Sequence, residues 1–219
     1  MKINGNKAVV YRKVGMSLAG VVLIGLSIGV LQAVNLGTDP FNVLMSALTQ
    51  RTGVRYAILN MLANILLAIP AFFLMRRSLG VSTVLLLVMV GFIADAIRMP
   101  LAPEVSALAM GARIAIVAAA LLMQSLGAAL CITSCLGVSP YDALYLLISE
   151  RTRFSVRTAR IALDVSFGAA GLIAGGIAGV ATVLAAVCMG PAINFFLTRL
   201  APPLGQEEGQ RKKNRPLLS

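Results

Sequence analysis

The chain has 219 residues, 58% of them hydrophobic and 12% charged, with a mean hydropathy of +0.89, which no water-soluble domain sustains. Its formal charge of +11 does not call for a nucleic-acid partner, because the cations collect at the termini and in short connections, as they do in the cytoplasmic loops of membrane proteins. No histidine is present, which removes the commonest general base and the imidazole metal ligand.

Residues 1–13 hold Lys2, Lys7, Arg12 and Lys13 and predict a basic, cytoplasmic N-terminus. The apolar stretch 14–34 outruns the roughly 7–15 residues of a signal-peptide core and lacks a clear cleavage site, so it predicts a retained first helix. The phrase "LGTDPFNVL", residues 36–44, then breaks the run. Gly37 permits unusual backbone angles, Pro40 suits the first turn of a new helix, and Asp39 is the predicted N-cap. Asn42 falls in that first turn, where the helix dipole favours negative charge. A short helix over 41–51 would be about 15–18 Å long, half a membrane. Long apolar helices over 56–75 and 80–98 follow, with Arg76 and Arg77 between them and Asn64 and Asp95 inside them.

The second half reads the same way. A long helix over 114–134 leads to "LGVSPYDAL", residues 136–144, one hundred positions after the first break. Here Gly137, Ser139 as N-cap, Pro140 and Asp142 fill the corresponding positions. A short helix over 141–151 and long helices over 159–176 and 178–198 follow, carrying Asp164 and Asn194. Residues 201–219 predict a disordered, basic cytoplasmic tail whose Arg211, Lys212, Lys213 and Arg215 suit anionic lipid headgroups.

Aligned without gaps at an offset of one hundred, the break segments agree at Leu36/Leu136, Gly37/Gly137, Pro40/Pro140, Leu44/Leu144, Arg51/Arg151 and Thr52/Thr152. With one residue dropped, "GVSTVLLLVMVGFIAD" from Gly80 runs beside "GVATVLAAVCMGPAIN" from Gly179. The expected fold is therefore all-α, a polytopic transmembrane bundle of two tandem repeats, 14–100 and 112–200, each with three long helices and one short half-helix. Three spans per repeat would invert one copy relative to the other, and four would leave them parallel. Loop charges slightly favour the second arrangement, whereas the length of the short helices favours the first. Both place the two termini in the cytoplasm.

Only eight Asp and Glu occur, and an Asp at the centre of a span costs about 2.5–3.5 kcal/mol. Asp95 and Asp164 nevertheless fall in apolar spans, and Asp39 and Asp142 in the breaks. Where one half holds an acid the other holds its amide: Asn42 aligns with Asp142, Asn64 with Asp164, and Asp95 with Asn194. These residues with Asp39 form the expected substrate site, lining a pocket between repeats with half-helix N-termini turned toward a solute. Arg98, Arg157 and Arg160 are candidate partners of the acids. The alternative is that the breaks are interfacial corners and that Asn64 and Asp164 only join helices by hydrogen bonds.

Cys131, Cys135 and Cys188 are expected inside apolar helices as small apolar residues. "GAAGLIAGGIAG", residues 168–179, predicts close helix approach. No HExxH, GxSxG or P-loop phrase occurs, so neither an enzyme nor a bound metal or cofactor is expected.

The twin "LGxxPxxxL" phrases, the plan of three plus three long helices and the paired "GVxTV" segments resemble the YczE/YyaS/YitT-type bacterial integral membrane proteins. The resemblance implies a multi-pass protein of the bacterial inner membrane and assigns no reaction or binding residue. The residues themselves point to a transport-type protein for a small solute or ion, with the lipid bilayer as its surroundings. A non-transporting membrane regulator or scaffold is the alternative.

Overall fold

A computed structural model describes residues 3–74 and 80–200, apart from the side chains of 3–8, 156 and 157. Arg76, Arg77, the tail and the side chain of Arg157 therefore lie outside the described residues. The described residues form eight helices and no strand: α1 (Ile3–Val34), α2 (Pro40–Thr52), α3 (Tyr56–Leu74), α4 (Val81–Ser106), α5 (Met110–Ser134), α6 (Pro140–Arg151), α7 (Val156–Ile173) and α8 (Val180–Leu200). The order long, short, long, long occurs twice. This is the polytopic helical bundle expected from the apolar runs.

Among the described residues five helices are long and apolar enough to cross a membrane: α1 from Val9 onward, α3, α4, α5 and α8. With 13 and 12 residues, α2 and α6 reach only about 20 Å and fall short of the hydrocarbon core. The sixth expected span, α7, is not among them. It is 18 residues long and holds Arg157, Arg160 and Asp164, so its charges offset its apolar residues. It also ends at Ile173 with Gly175 in a left-handed conformation, so the glycine-rich run to Gly179 is a helix end and a connection.

Both breaks use the same local geometry. Asn35 and Cys135 adopt positive φ (55° and 53°), and Gly37 and Gly137 follow at 95° and 121°. Two left-handed residues within three positions turn the chain sharply, at a steric cost that glycine avoids. Cys135 thus lies just past the end of α5 and not inside it. Asp39 Oδ1 accepts from Asn42 N at 3.1 Å, and Ser139 Oγ accepts from Asp142 N at 3.0 Å. Each N-cap satisfies an orphan amide of the new helix, and Pro occupies the first helical position.

α1 packs most heavily on α4 and α5. It runs parallel to α4, with Ser17 bonded to Ser82 and Gly29 against Ala94. It runs antiparallel to α5: Gly20 near its middle meets Gly127, while Val34 O at its end accepts from Arg113 near the start of α5. A Cβ on Gly20 would stand 2.6 Å from Gly127 O, so glycine permits this close approach. Because α1 and α5 open the two halves, the halves run in opposite directions.

The short helices cross over: α2 packs on α7, and α6 packs on α3. Leu36 O accepts from Ala181 N at 3.0 Å, and Leu136 O accepts from Ser82 N at 3.1 Å. Each break is thereby joined to the start of the last helix of the other half. Each break phrase is thus bonded to the GVxTV phrase of the opposite half. Against α2, Gly171 and Gly176 leave no room for a Cβ, which would stand 2.8 Å from Leu44 N and from Val43 O.

Pro40 lies beside Gly168, Leu44 beside Gly171, and Arg51 Nη2 donates to Ile173 O at 3.2 Å. α2 therefore runs parallel to α7, starting within the bundle and leaving toward the end of α7. A four-residue connection ties the end of α6 to the start of α7, so α6 leaves toward the opposite end. In a background lacking native cysteines, Thr52→Cys and Thr152→Cys are accordingly expected to be labelled from opposite sides of the membrane by an impermeant maleimide. Labelling of both from one side would contradict the antiparallel halves.

Candidate functional site

The N-terminal turns of α2 and α6 meet in the middle of the bundle, with the rings of Phe41 and Tyr141 5.6 Å apart between centroids. A cavity of about 190 Å³ opens there, more than ten times the roughly 10–15 Å³ that one water needs. The first half contributes Asp39, Phe41, Asn42, Asn60 and Asn64, and the second contributes Ser139, Tyr141, Asp142, Arg160 and Asp164. These ten residues are five pairs at the hundred-residue offset. α5 adds Gln124, and Val90 and Met189 add apolar wall.

Five of the seven expected site residues therefore line one cavity: Asp39, Asn42, Asn64, Asp142 and Asp164. The other two do not line it. Asp95 is 7% exposed, and its Oδ2 accepts from Ala57 N at 3.0 Å. It satisfies an orphan amide in the first turn of α3, the work of an N-cap done from another helix. Asn194 is exposed. Its neighbour Ile193 lines the cavity, and one residue along a helix is a rotation of about 100°.

On the first-half side a chain of hydrogen bonds runs toward Asp39. Asn64 Nδ2 donates to Asn60 Oδ1 at 3.0 Å, Asn60 Nδ2 to Tyr56 OH at 3.0 Å, and Tyr56 OH to Asn42 Oδ1 at 2.5 Å. Asn42 Nδ2 then donates to Asp39 Oδ2 at 2.6 Å, which also accepts from Gln124 Nε2 at 3.3 Å. Every donor is directed at the carboxylate, and such chains strengthen one another in a dry interior. On the second-half side Tyr141 OH donates to Asp164 Oδ1 at 2.5 Å. Arg160 Nε lies 3.9 Å from Asp164 Oδ2, and its guanidinium carbon lies 5.8 Å from the Tyr145 ring centre.

Of the two candidate partners whose side chains are described, Arg160 approaches an acid of the cavity and Arg98 lies elsewhere. Three carboxylates face one guanidinium, so the lining is acidic on balance. Gln124 Oε1 is buried and accepts no hydrogen bond, in a residue only 4% exposed. Among the described residues no three His, Cys, Asp or Glu side chains lie close enough to share a metal ion. The arrangement suits a cation held by separated acceptors and aromatic faces.

Sequence reading passed over Tyr56, Asn60, Gln124, Tyr141 and Tyr145. Tyr56, Asn60 and Asn64 recur every fourth residue, a polar stripe along an apolar helix. Gln124, Tyr141 and Tyr145 carry no comparable signal.

The chain belongs to a family of unknown function, DUF6198, whose profile matches residues 11–198. It is similar to an uncharacterised protein of Haemophilus influenzae, 27% identical over 194 residues that cover 87% of this chain and 86% of that protein. No solved structure matches it.

Proposed function

We propose, from the premise that this is an integral membrane protein of that family, that it binds and carries a small organic cation of the ammonium class. The observation that carries this reading is the convergence of aligned polar residues from both halves on one cavity with three carboxylates and one guanidinium. Phe41, Tyr141 and Tyr145 add aromatic faces to the lining, which favour an alkylammonium group over a bare ion. Two half-helix N-termini meeting between antiparallel halves are the arrangement by which repeat-built transporters hold a solute. The halves are read as two inverted copies of one unit, approximately 14–100 and 112–200. The protein is placed in the bacterial inner membrane with both termini cytoplasmic, in keeping with its resemblance to YczE/YyaS/YitT-type proteins, and no catalysis is assigned to it.

A second reading has support from the bonds that join Asn64, Asn60, Tyr56, Asn42 and Asp39. Such a network holds helices together, as a regulator or scaffold without a solute would require. Binding of radiolabelled choline, tetramethylammonium and ethanolamine to the purified protein in nanodiscs, followed by uptake into proteoliposomes, separates the two. Saturable binding with uptake supports transport. No saturable binding by any ammonium compound in the panel would leave the scaffold reading.

A further inference from the structure

The two halves differ at one joint. α3 packs on α4, whereas among the described residues the corresponding helices of the second half, α7 and α8, make no comparable contact. In the first half three residues build the joint. A Cβ on Gly91 would stand 2.9 Å from Ala57 Cα, so the start of α3 lies in a groove that glycine keeps open. Asp95, one turn further along α4, accepts from Ala57 N at 3.0 Å and satisfies an amide that the first turn of a helix leaves orphaned.

The second half carries the matching parts unassembled. In the aligned segments Gly190 corresponds to Gly91, Asn194 to Asp95, and Arg157, in the first turn of α7, to Ala57. Nothing lies within 4 Å of a Cβ on Gly190, and Asn194 is exposed. A glycine inside a helix is less favourable than alanine, and the described arrangement gives Gly190 no packing role in return. Asparagine, like aspartate, carries an oxygen that accepts from a first-turn amide. The open joint also adjoins the acidic cavity, which Arg160 and Asp164 of α7 line with Met189 and Ile193 of α8. The side chains of Arg160 and Asp164 are 35% and 30% exposed, while their first-half counterparts Asn60 and Asn64, on the side of the closed joint, are buried.

We infer that this joint has two states and that the structure shows the open one. In the closed state the first turn of α7 docks on α8 at Gly190, and the Asn194 side-chain oxygen accepts from Arg157 N–H. Docking draws α7 onto α8 and covers the cavity from that side. A carrier needs such a movement of one repeat to admit and then seal its solute; that purpose rests on the transport reading, whereas the latch itself does not.

The test traps the docked state in the full chain in nanodiscs. In a background lacking native cysteines, Ala57→Cys/Asp95→Cys reports the closed joint and Arg157→Cys/Asn194→Cys the open one. On oxidation with copper phenanthroline both pairs should form a disulfide within one chain, which requires the two Cα atoms to come within about 7 Å. Gly190→Ala, which the described state accommodates, should slow the second pair at least tenfold and leave the first unchanged. The inference is overturned if the second pair does not link, if it links between chains, which would make a second copy the occupant of the groove, or if Gly190→Ala does not slow it. No solute enters that measurement. Exchange of radiolabelled tetramethylammonium before and after linking judges the transport reading separately. Absence of binding before linking counts against that reading and not against the latch, and free exchange after linking would overturn the covering of the cavity.

Discussion

Asp142→Asn and Asp164→Asn proteins are expected to insert and fold as the parent does, and each to bind ammonium compounds at least tenfold more weakly. An amide keeps the shape of the carboxylate and most of its hydrogen bonding, so Tyr141 retains an acceptor at position 164. The removed charge also lowers the cost of burial in the bilayer. What disappears is attraction for a cation, and a tenfold loss corresponds to about 1.4 kcal/mol. The cavity begins with three carboxylates and Arg160; each substitution removes one net negative charge, and the double variant leaves Asp39 and Arg160 to balance. Its affinity should fall about a hundredfold if the two losses add. Arg160→Gln supplies the opposite sign. It removes the resident cation beside Asp164 and should tighten binding. Equilibrium binding in nanodiscs reads all four variants, and undiminished affinity in a well-folded double variant would take the carboxylates out of the mechanism.

The largest loss of stability is expected from Gly80→Ala and Gly179→Ala. A Cβ on Gly80 would stand 2.0 Å from Leu136 O, and one on Gly179 would stand 2.4 Å from Leu36 O. Both clashes are with backbone, which cannot rotate away as a side chain can. The same carbonyls accept from Ser82 N and Ala181 N, so relief of the clash would also stretch the bond joining each break to the opposite half. Overpacking of this kind costs about 1–3 kcal/mol, and these sites belong at the upper end. Gly15→Ala and Gly190→Ala are the controls, since nothing lies within 4 Å of a Cβ at either position. In a helix interior that exchange is worth about 0.5–1 kcal/mol in favour of alanine. Thermal unfolding of the four purified variants should place the two pairs on opposite sides of the parent. An unchanged midpoint for Gly80→Ala would show that the interlock contributes little.

Much of this molecule is settled by local chemistry. A run of about twenty apolar residues can satisfy its backbone in a bilayer only as a helix, and Gly37, Asp39 and Pro40, with Gly137, Ser139 and Pro140, specify a stop, a cap and a restart without reference to distant residues. The hundred-residue correspondence of the two breaks was legible for the same reason. Contacts across the bundle decided the rest. Asp95 and Asp164 are both single acids in apolar helices, yet one caps α3 through Ala57 N and the other faces the cavity beside Tyr141 and Arg160. Gln124 became part of the site because the N-terminal turn of α2 comes to rest beside α5 and places Asp39 within its reach. The pairings of Leu36 with Ala181 and of Leu136 with Ser82 join residues 145 and 54 positions apart in the chain, beyond any local signal. Helical periodicity fixes which residues share a face; only the packing of one helix on another determines what that face meets.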